Sequence, residues 1–322
     1  MGRAALGVGR LMPSVDDGSD ARGAAAWLFP GQGSQYVGMA SAWSEASAEV
    51  AATLGEASEV LGFDLARVIA DGPEDALADT HNQQPAVLAA SVAILRAARP
   101  VLPAPRLMAG HSLGEYSALV AAGALGFPDA LRLVRERGRL MKLAGEASPG
   151  RMAAVLGMSD NDVESVCADI AGVQVANYNS PGQVVISGTA DGVDAATAAL
   201  EAAGARRVVP LPITIAAHSE LMRPVADEFR QAVAAAPIAP ASVPVVANTT
   251  ARAISDPAEI GAELADQLTA SVRWSDGVRS MLDQGIDSFY EVGPGSVLTG
   301  LTKRIAKDAG AEVAVLRSMD QP

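Results

Sequence analysis

The sequence predicts an α/β fold with a mostly parallel sheet, into which a second, smaller domain is inserted. Apolar runs alternate with stretches of helical periodicity over residues 24–148 and again over 214–322, which is typical of parallel strands joined by helices. Residues 149–213 follow a different order, β-α-β-β-α-β, which is that of the ferredoxin-like split unit. With 322 residues, the chain is long enough to bury a core in both parts.

The first part of the main domain begins with the apolar run 25–29, which predicts a buried strand because Pro30 and Gly31 end it abruptly. Alternating elements then follow as far as residue 148. They are helical periodicity to about residue 60 and again over 85–98, a strand over 106–109, a helix ending at Ala122 and a helix over about 128–143.

The inserted unit contains two clear local signals. Ser159 and Asp162 have the spacing of a capping box, which predicts the start of a helix. The polar run 179–182 ends in Pro-Gly, which predicts a turn between two strands. The expected elements are a strand over 152–156, a helix to about Ile170, strands over 173–176 and 184–187, a helix over 193–203 ended by Gly204, and a strand over 207–210.

The main domain resumes after the insert, again with alternating elements. The expected elements are a helix over 219–234, a strand over 243–247, helices over 258–268 and 275–284, a strand over 287–292, a helix over 296–306 and a strand over 312–316. The last two strand-helix pairs add to the same parallel sheet.

Composition excludes several classes of function. The net charge of −13 argues against a nucleic-acid partner. No apolar run approaches the ~18 residues of a membrane span, and the single cysteine, Cys167, favours a reducing compartment. We therefore expect a cytoplasmic protein that does not bind membranes. We also expect a monomer. Residues 1–23 lack an apolar segment of signal-peptide length and are expected to form a disordered extension.

The segment Gly110–Gly114 is the most informative part of the sequence. It places Ser112 between two glycines, after the apolar run 107–109 and before a helical stretch that starts at Glu115. A G-x-S-x-G pattern between a strand and a helix is typical of a nucleophile elbow, whose sharp turn exposes the serine hydroxyl. Ser112 is therefore the candidate nucleophile, and a plain strand-to-helix turn is the alternative.

A serine hydroxyl needs a base, and the chain has three histidines. His111 adjoins Ser112, and neighbouring side chains on a tight elbow diverge. His81 lies among polar residues near the start of a helix, which favours a structural role. His218 follows the inserted unit at a strand-to-helix junction, where a side chain can project into a site. His218 is therefore the candidate base.

Among the acids between Ser112 and His218, five fall on predicted helix starts and faces of the insert, and none of these five is a convincing triad acid. They are Asp160, Asp162, Glu164, Asp191 and Asp194. A backbone or amide carbonyl is the alternative group to hold the imidazole.

Arg137, on the helix after the elbow helix, has a guanidinium fork that can bind a carboxylate, although most helical arginines lie at the surface.

The segment 29–35 ends the first strand with two glycines. It fails the dinucleotide pattern because Tyr36 stands in place of the third glycine. Its bare backbone amides can instead bind an oxyanion.

Four motifs, in order along the chain, resemble those of the malonyl-CoA:acyl carrier protein transacylases. They are Phe29–Gln35, Gly110–Leu119, Asn177–Gln183 and Glu291–Gly295. The resemblance covers about residues 25–318 and implies a hydrolase-like core with a ferredoxin-like insert. It implies transfer of a malonyl group from malonyl-CoA to the phosphopantetheine thiol of acyl carrier protein. The route that the resemblance implies is ping-pong through a malonyl-serine. It needs no cofactor, because malonyl-CoA is a substrate and the partner carries the phosphopantetheine.

The resemblance also implies roles for the residues of the reaction centre. Ser112 matches the nucleophile and His218 its general base, and Gln267 matches the residue whose main-chain carbonyl orients the imidazole. Gln32 and Leu113 match the positions whose backbone amides form the oxyanion hole.

For the substrate, Arg137 matches the arginine that pairs with the free carboxylate of malonate. Supporting positions in the pocket are His111, Asn179 and Gln84. One departure concerns Ala216 and Ala217, which precede His218 where many malonyl-selective relatives carry a phenylalanine. A smaller wall there would admit methylmalonyl or other branched groups, so malonyl is the first expectation and a branched group the alternative.

An acidic carrier protein would be repelled by the net charge, so we expect a local basic face to bind it. Two candidates remain open: Lys303, Arg304 and Lys307, or Arg206 and Arg207. Carriers of fatty acid and of polyketide synthesis both remain open as partners. The rival functions are a serine hydrolase or thioesterase, which has no need of Arg137, and a non-catalytic docking module, which has no need of the Ser112–His218 pair.

Overall fold

A computed structural model describes residues 24–322, and the expectation of a disordered extension over 1–23 lies outside the described residues. Two sheets organise the described chain. In chain order its strands are β1 (Ala24–Phe29), β2 (Pro105–Gly110), β3 (Gly150–Leu156), β4 (Val173–Ser180), β5 (Gln183–Thr189), β6 (Arg207–Pro210), β7 (Val245–Val246), β8 (Ala253–Ile254), β9 (Ile286–Glu291) and β10 (Val315–Ser318).

The main sheet has the order β10-β9-β1-β2-β7-β8. All its pairs are parallel except β7 with β8, which is antiparallel. The carboxyl ends of β1 and β2 therefore meet at one edge of the sheet, where ligands bind in open α/β sheets. The prediction of an α/β fold with a mostly parallel sheet is confirmed.

Helices pack on the main sheet and on the smaller one. They are α1 (Ser41–Ala46), α2 (Ala48–Leu61), α3 (Leu65–Asp71), α4 (Glu74–Ala78), α5 (Thr80–Ala98), α6 (Gly114–Ala121), α7 (Phe127–Ala147), α8 (Asp160–Ala168), α9 (Ala190–Ala202), α10 (Arg223–Ala235), α11 (Pro257–Asp266), α12 (Trp274–Asp283) and α13 (Val297–Asp308).

Helix α5 begins earlier than the sequence predicted, and the predicted start at Pro85 was wrong. The Asp79 side chain accepts a hydrogen bond from the His81 amide and caps the helix, so Pro85 lies inside it. A proline leaves the carbonyl four residues earlier without its helical partner. Here that carbonyl, on His81, accepts from Arg135 Nη1 at 3.4 Å, which makes the internal proline tolerable.

The smaller sheet is antiparallel, with the order β4-β5-β3-β6. Helices α8 and α9 cover one of its faces, and the predicted capping box at α8 is present, since Ser159 Oγ accepts from the Asp162 amide. The predicted turn was too long. The β4–β5 hairpin stays paired from Ser180 to Gln183, so only Pro181 and Gly182 turn the chain.

The second half of the main sheet departs most from prediction. The strand expected over 243–247 contains only two residues, β7, and the short strand β8 was missed. Strands β7 and β8 are short because Ala247 begins a turn, in which its amide donates a hydrogen bond to the Arg252 carbonyl. The last strand begins at Val315, three residues later than predicted. Helix α10 is preceded by a 3₁₀ turn at Glu220–Met222.

Apolar residues on both faces of the main sheet form its core, and the smaller sheet has a core of its own under α8 and α9. Every helix within residues 24–322 is too short or too polar to span a bilayer. The predicted division at residues 148–149 and 213–214 stays a prediction.

Candidate active site

The serine elbow lies at the carboxyl end of β2. Ser112 has a φ of 51°, a left-handed conformation that only a tightly held turn imposes on a residue other than glycine. The turn is tight enough to require its glycines. A Cβ on Gly110 would lie 1.9 Å from the carbonyl carbon of Gly114, and a Cβ on Gly114 would lie 2.0 Å from the Phe29 carbonyl oxygen.

His218 lies directly against this serine. Its Nε2 is 2.8 Å from Ser112 Oγ, and its Nδ1 is 2.8 Å from the Gln267 carbonyl and 3.1 Å from that of Ala270. Both carbonyls can only accept, so Nδ1 carries the ring proton and Nε2 is free to take one from the hydroxyl. No acid is part of this arrangement within the described residues, and a main-chain carbonyl holds the ring instead.

Burial lowers the pKa of His218 to about 3, and the positive charge of Arg137 adds to the shift. The imidazole is therefore neutral at neutral pH, as a base must be. Its backbone also has a left-handed φ, of 57°.

Arg137 is completely buried, so the general expectation of a surface arginine does not hold for it. Its Nη2 donates to Ser112 Oγ at 3.1 Å and to Gln267 Oε1 at 3.1 Å, and its Nη1 donates to Gln84 Oε1 at 3.0 Å. Its Nε is buried without a partner in the described part of the chain. All three acceptors are neutral, and none of the ion pairs found over residues 24–322 includes Arg137.

Glu115, whose charge would act on the Arg137 cation, does not neutralise it. Glu115 is fully buried in α6, and burial raises its pKa well above the usual range, with Glu263 adding to the shift. The protonated carboxyl is therefore favoured. Its Oε2 accepts from Gln267 Nε2 at 2.5 Å, so it holds the Gln267 side chain between the elbow and Arg137. A buried cation with neutral partners favours the binding of an anion.

Asn248, which was not among the predicted site residues, fixes the elbow from the chain that leaves the neighbouring strand β7. Its Oδ1 accepts from the Ser112 amide at 2.7 Å, and its Nδ2 donates to the Gly110 carbonyl at 2.8 Å. The available signal was its position two residues after β7, which pairs with β2 and therefore ends at the same edge.

The pocket residues expected from the resemblance surround the same elbow. His111 Nε2 is 2.8 Å from Asn179 Oδ1, which joins the elbow to β4 of the smaller sheet, and the His111 ring lies 5.5 Å from that of Trp274. Gln84 contacts Arg137, and its Nε2 lies 3.4 Å from Gln32 Oε1.

The two amides expected to bind an oxyanion belong to Gln32 and Leu113, beside the ends of β1 and β2. Neither amide donates a hydrogen bond to any group in residues 24–322. His81 lies elsewhere, in the first turn of α5, and Cys167 is buried under the smaller sheet. The placement of His81 agrees with the structural role expected for it.

A histidine-activated serine on an elbow of a mostly parallel sheet defines an enzyme of serine acyl chemistry. The model of the acyl transferase domain family matches residues 26–321. The chain belongs to this family and is an acyltransferase.

Similar proteins have malonyl transfer in their names. The malonyl CoA-acyl carrier protein transacylase of Escherichia coli K12 is 45% identical over 284 residues, which are 87% of this chain and 92% of that protein. The acyl carrier protein S-malonyltransferase of Vibrio cholerae superposes with a TM-score of 0.88 at 45% identity, covering 92% of this chain and 97% of that one.

A further solved structure contains a carrier. It is a type II PKS acyl-carrier protein in complex with its malonyl-transacylase, which is similar to this chain at 42% identity with a TM-score of 0.86. The match covers 92% of this chain and 94% of that one.

Proposed function

We propose that this enzyme transfers the malonyl group of malonyl-CoA to the phosphopantetheine thiol of acyl carrier protein through a malonyl-Ser112 ester. The single observation that carries the proposal is the buried Arg137 guanidinium, which lies 3.1 Å from Ser112 Oγ and has only neutral partners. A malonyl group on the serine places its free carboxylate within reach of this cation. A fork-shaped guanidinium binds a carboxylate with two parallel hydrogen bonds.

In the first half-reaction, His218 Nε2 takes the proton of Ser112 Oγ as the oxygen attacks the thioester carbonyl. The amides of Gln32 and Leu113 donate to the oxyanion of the tetrahedral intermediate, and Gln267 orients the imidazole through its carbonyl. The C–S bond then breaks, and the imidazolium returns its proton to the CoA thiolate. Losing one such oxyanion donor costs about 3–4 kcal/mol in comparable sites.

In the second half-reaction, the carrier thiol gives its proton to His218 Nε2 and attacks the malonyl-serine carbonyl. The same amides hold the second oxyanion, and Ser112 leaves with the proton from the imidazolium. The proposed cycle uses no cofactor. His111 and Asn179 shape the wall between elbow and small sheet, and Gln84 holds Arg137 from the opposite side.

The carrier is proposed to dock on one basic face that unites the two candidates left open by the sequence. Arg304 Nη2 donates to Gln183 Oε1 at 2.7 Å. Gln183 on β5 pairs with Leu156 on β3, and Leu156 pairs with Arg207 on β6. Strands β5 and β6 are therefore about 10 Å apart. The basic face consists of Arg206, Arg207, Lys303, Arg304 and Lys307, all exposed and all outside the ion pairs of the described chain.

We also propose that residues 149–213 form a ferredoxin-like domain inserted into a hydrolase-like core. The antiparallel order β4-β5-β3-β6, with α8 and α9 on one face, supports this assignment. A cytoplasmic site of action remains the expectation from the single cysteine, Cys167.

Intact-mass measurement after separate mixing with malonyl-CoA, methylmalonyl-CoA and acetyl-CoA tests the function. We expect a malonyl adduct on Ser112 that chases to a holo-carrier, and no adduct with acetyl-CoA or in Ser112→Ala. Because Ala217 leaves a small wall beside His218, a methylmalonyl adduct is the second expectation. An adduct that turns over to water faster than to the carrier thiol would instead identify a hydrolase.

A further inference from the structure

Gln174 links the smaller sheet to the backbone on both sides of the imidazole. Its side chain extends from β4, where it is half-buried. The Nε2 amide donates to the His218 carbonyl at 3.2 Å and to the Thr269 carbonyl at 3.4 Å, while its Oε1 accepts from the Glu220 amide at 3.0 Å. One side chain therefore contacts the turn that carries the base and the loop that holds the base.

The turn that carries His218 needs such support. The residue has a left-handed φ of 57°, which a side chain with a Cβ adopts only where surrounding contacts impose it. The bonds of Gln174 fall on His218 itself and on Glu220, two residues later, so they fix the turn on its exposed side.

The loop that holds the imidazole is attached to the same strand. The carbonyls of Gln267 and Ala270 accept from Nδ1, and Thr269, the Gln174 partner, lies between them. Immediately afterwards, the Val272 amide donates to the Ala176 carbonyl at 2.8 Å. Strand β4 thus holds this loop by its main chain, and Gln174 joins the loop to the histidine turn.

We propose that Gln174 is a positioning residue through which the smaller sheet sets the imidazole against Ser112. The inference rests on the proposed function, because its main readout is acylation of that serine. The side chain does not reach the reacting atoms. It acts on the separation between the His218 turn and the 267–270 loop, and hence on the 2.8 Å contact from Nε2 to Ser112 Oγ.

The test compares Gln174→Leu with the matched variant Gln183→Leu. Both glutamines are half-buried on the smaller sheet and bond across to the main domain, but Gln183 bonds Arg304 rather than the histidine turn. Single-turnover acylation by malonyl-CoA, without carrier, gives the maximal rate and the half-saturating concentration. We expect Gln174→Leu to lower the maximal rate about 10- to 100-fold at unchanged half-saturation, since small misplacements have effects of this size. We expect Gln183→Leu to acylate as the parent does.

The variant Gln174→Glu distinguishes loss of the hydrogen-bond donor from a general loosening of the sheet. At pH 8 its carboxylate has no proton to donate and faces the carbonyl oxygens of His218 and Thr269. Protonation at lower pH restores one donor. The acylation rate of Gln174→Glu, relative to the parent, should therefore rise from pH 8 to pH 5, whereas the relative rate of Gln174→Leu stays constant.

Equal rates in Gln174→Leu and the parent, a loss confined to half-saturation, or an equal loss in Gln183→Leu would each overturn the inference. So would parallel pH profiles of the Gln174→Glu and Gln174→Leu variants. Failure of the proposed function is distinguishable, because the parent itself would then take up no malonyl group.

Discussion

Asn248 holds the nucleophile elbow at two points, accepting from the Ser112 amide at 2.7 Å and donating to the Gly110 carbonyl at 2.8 Å. The two bonds span the turn in which Ser112 has its left-handed φ. They couple β2 to the chain that leaves β7, so the sheet itself sets the direction of the hydroxyl.

We expect Asn248→Leu to lower both stability and rate. The substitution leaves a buried amide and a buried carbonyl without partners, at about 1–3 kcal/mol each. The free energy of unfolding, measured by urea titration, should fall by about 2–6 kcal/mol, and the acylation rate should fall with it. A loss of stability below about 0.5 kcal/mol would show that the elbow holds its shape without this residue.

The Arg137 cation predicts how the enzyme selects its acyl group. We expect Arg137→Ala to acylate with malonyl-CoA at least about 100-fold more slowly, because the charge-assisted bonds to the carboxylate are lost. Acetyl-CoA carries no such carboxylate, so the ratio of malonyl to acetyl adducts, measured by intact mass, should collapse.

Arg139→Ala is the matched control for this selectivity. It removes an arginine from the same helix, but one that is exposed and paired with Glu136 and Glu228. It should retain the parent preference. A retained preference in Arg137→Ala would remove the main support for malonyl transfer.

The neutral buried imidazole predicts a pH dependence of stability. The folded pKa of His218 is about 3, below the ordinary value of 6.5, so between these values the unfolded chain binds a proton that the folded chain does not. Stability therefore rises with pH across this window, by up to about 1.4 kcal/mol per pH unit from this residue.

Urea titrations of the parent and His218→Asn at pH 4, 5, 6 and 7 measure this contribution. The carboxyl groups and His111 contribute to both proteins, so the difference between the two slopes isolates His218. We expect the variant to have the smaller slope below pH 6.5. Equal slopes would mean that the folded imidazole protonates at its ordinary pKa.

Local chemistry in the sequence is enough to locate the elbow and the histidine that lies against it. The elbow at Ser112 follows from two glycines between an apolar run and a helix, and the base followed by elimination among three histidines. The pair lies 106 residues apart in the chain, so the 2.8 Å contact itself needs the three-dimensional fold.

The missed features depend on which strands become neighbours. Asn248 reaches the elbow only because β7 pairs with β2, and the strand pattern over 243–247 does not show which strand it pairs with. The start of α5 was misplaced because Pro85 is tolerated only where Arg135 takes up the freed His81 carbonyl, a contact 54 residues distant. Local propensity cannot carry information of this kind.

Substitution by alanine should change stability in opposite directions at two glycines. Gly110→Ala forces a Cβ to within 1.9 Å of the Gly114 carbonyl carbon, so we expect loss of the elbow and of about 3 kcal/mol of stability. Gly300→Ala, in α13, meets no atom within 4 Å and should stabilise by up to about 1 kcal/mol through helix propensity. Thermal and urea unfolding of both variants check the pair, and equal effects would contradict the tight approach at the elbow.

The basic face predicts which half-reaction depends on surface charge. Charge reversal at Arg207 and Lys303 together should raise the KM for the carrier about 10-fold or more, because an acidic partner would then meet like charge. Acylation by malonyl-CoA should not change, since neither side chain contacts the elbow. The effect should diminish at high salt, which screens exposed charges.

Charge reversal of Arg67 and Arg99 is the matched control. Both are exposed cations of the main domain outside the ion pairs of the described chain, on α3 and at the end of α5. The control changes net charge by the same amount as reversal at Arg207 and Lys303, so it measures long-range repulsion alone. An equal rise in carrier KM in both double variants would show that net charge, rather than this face, governs the encounter.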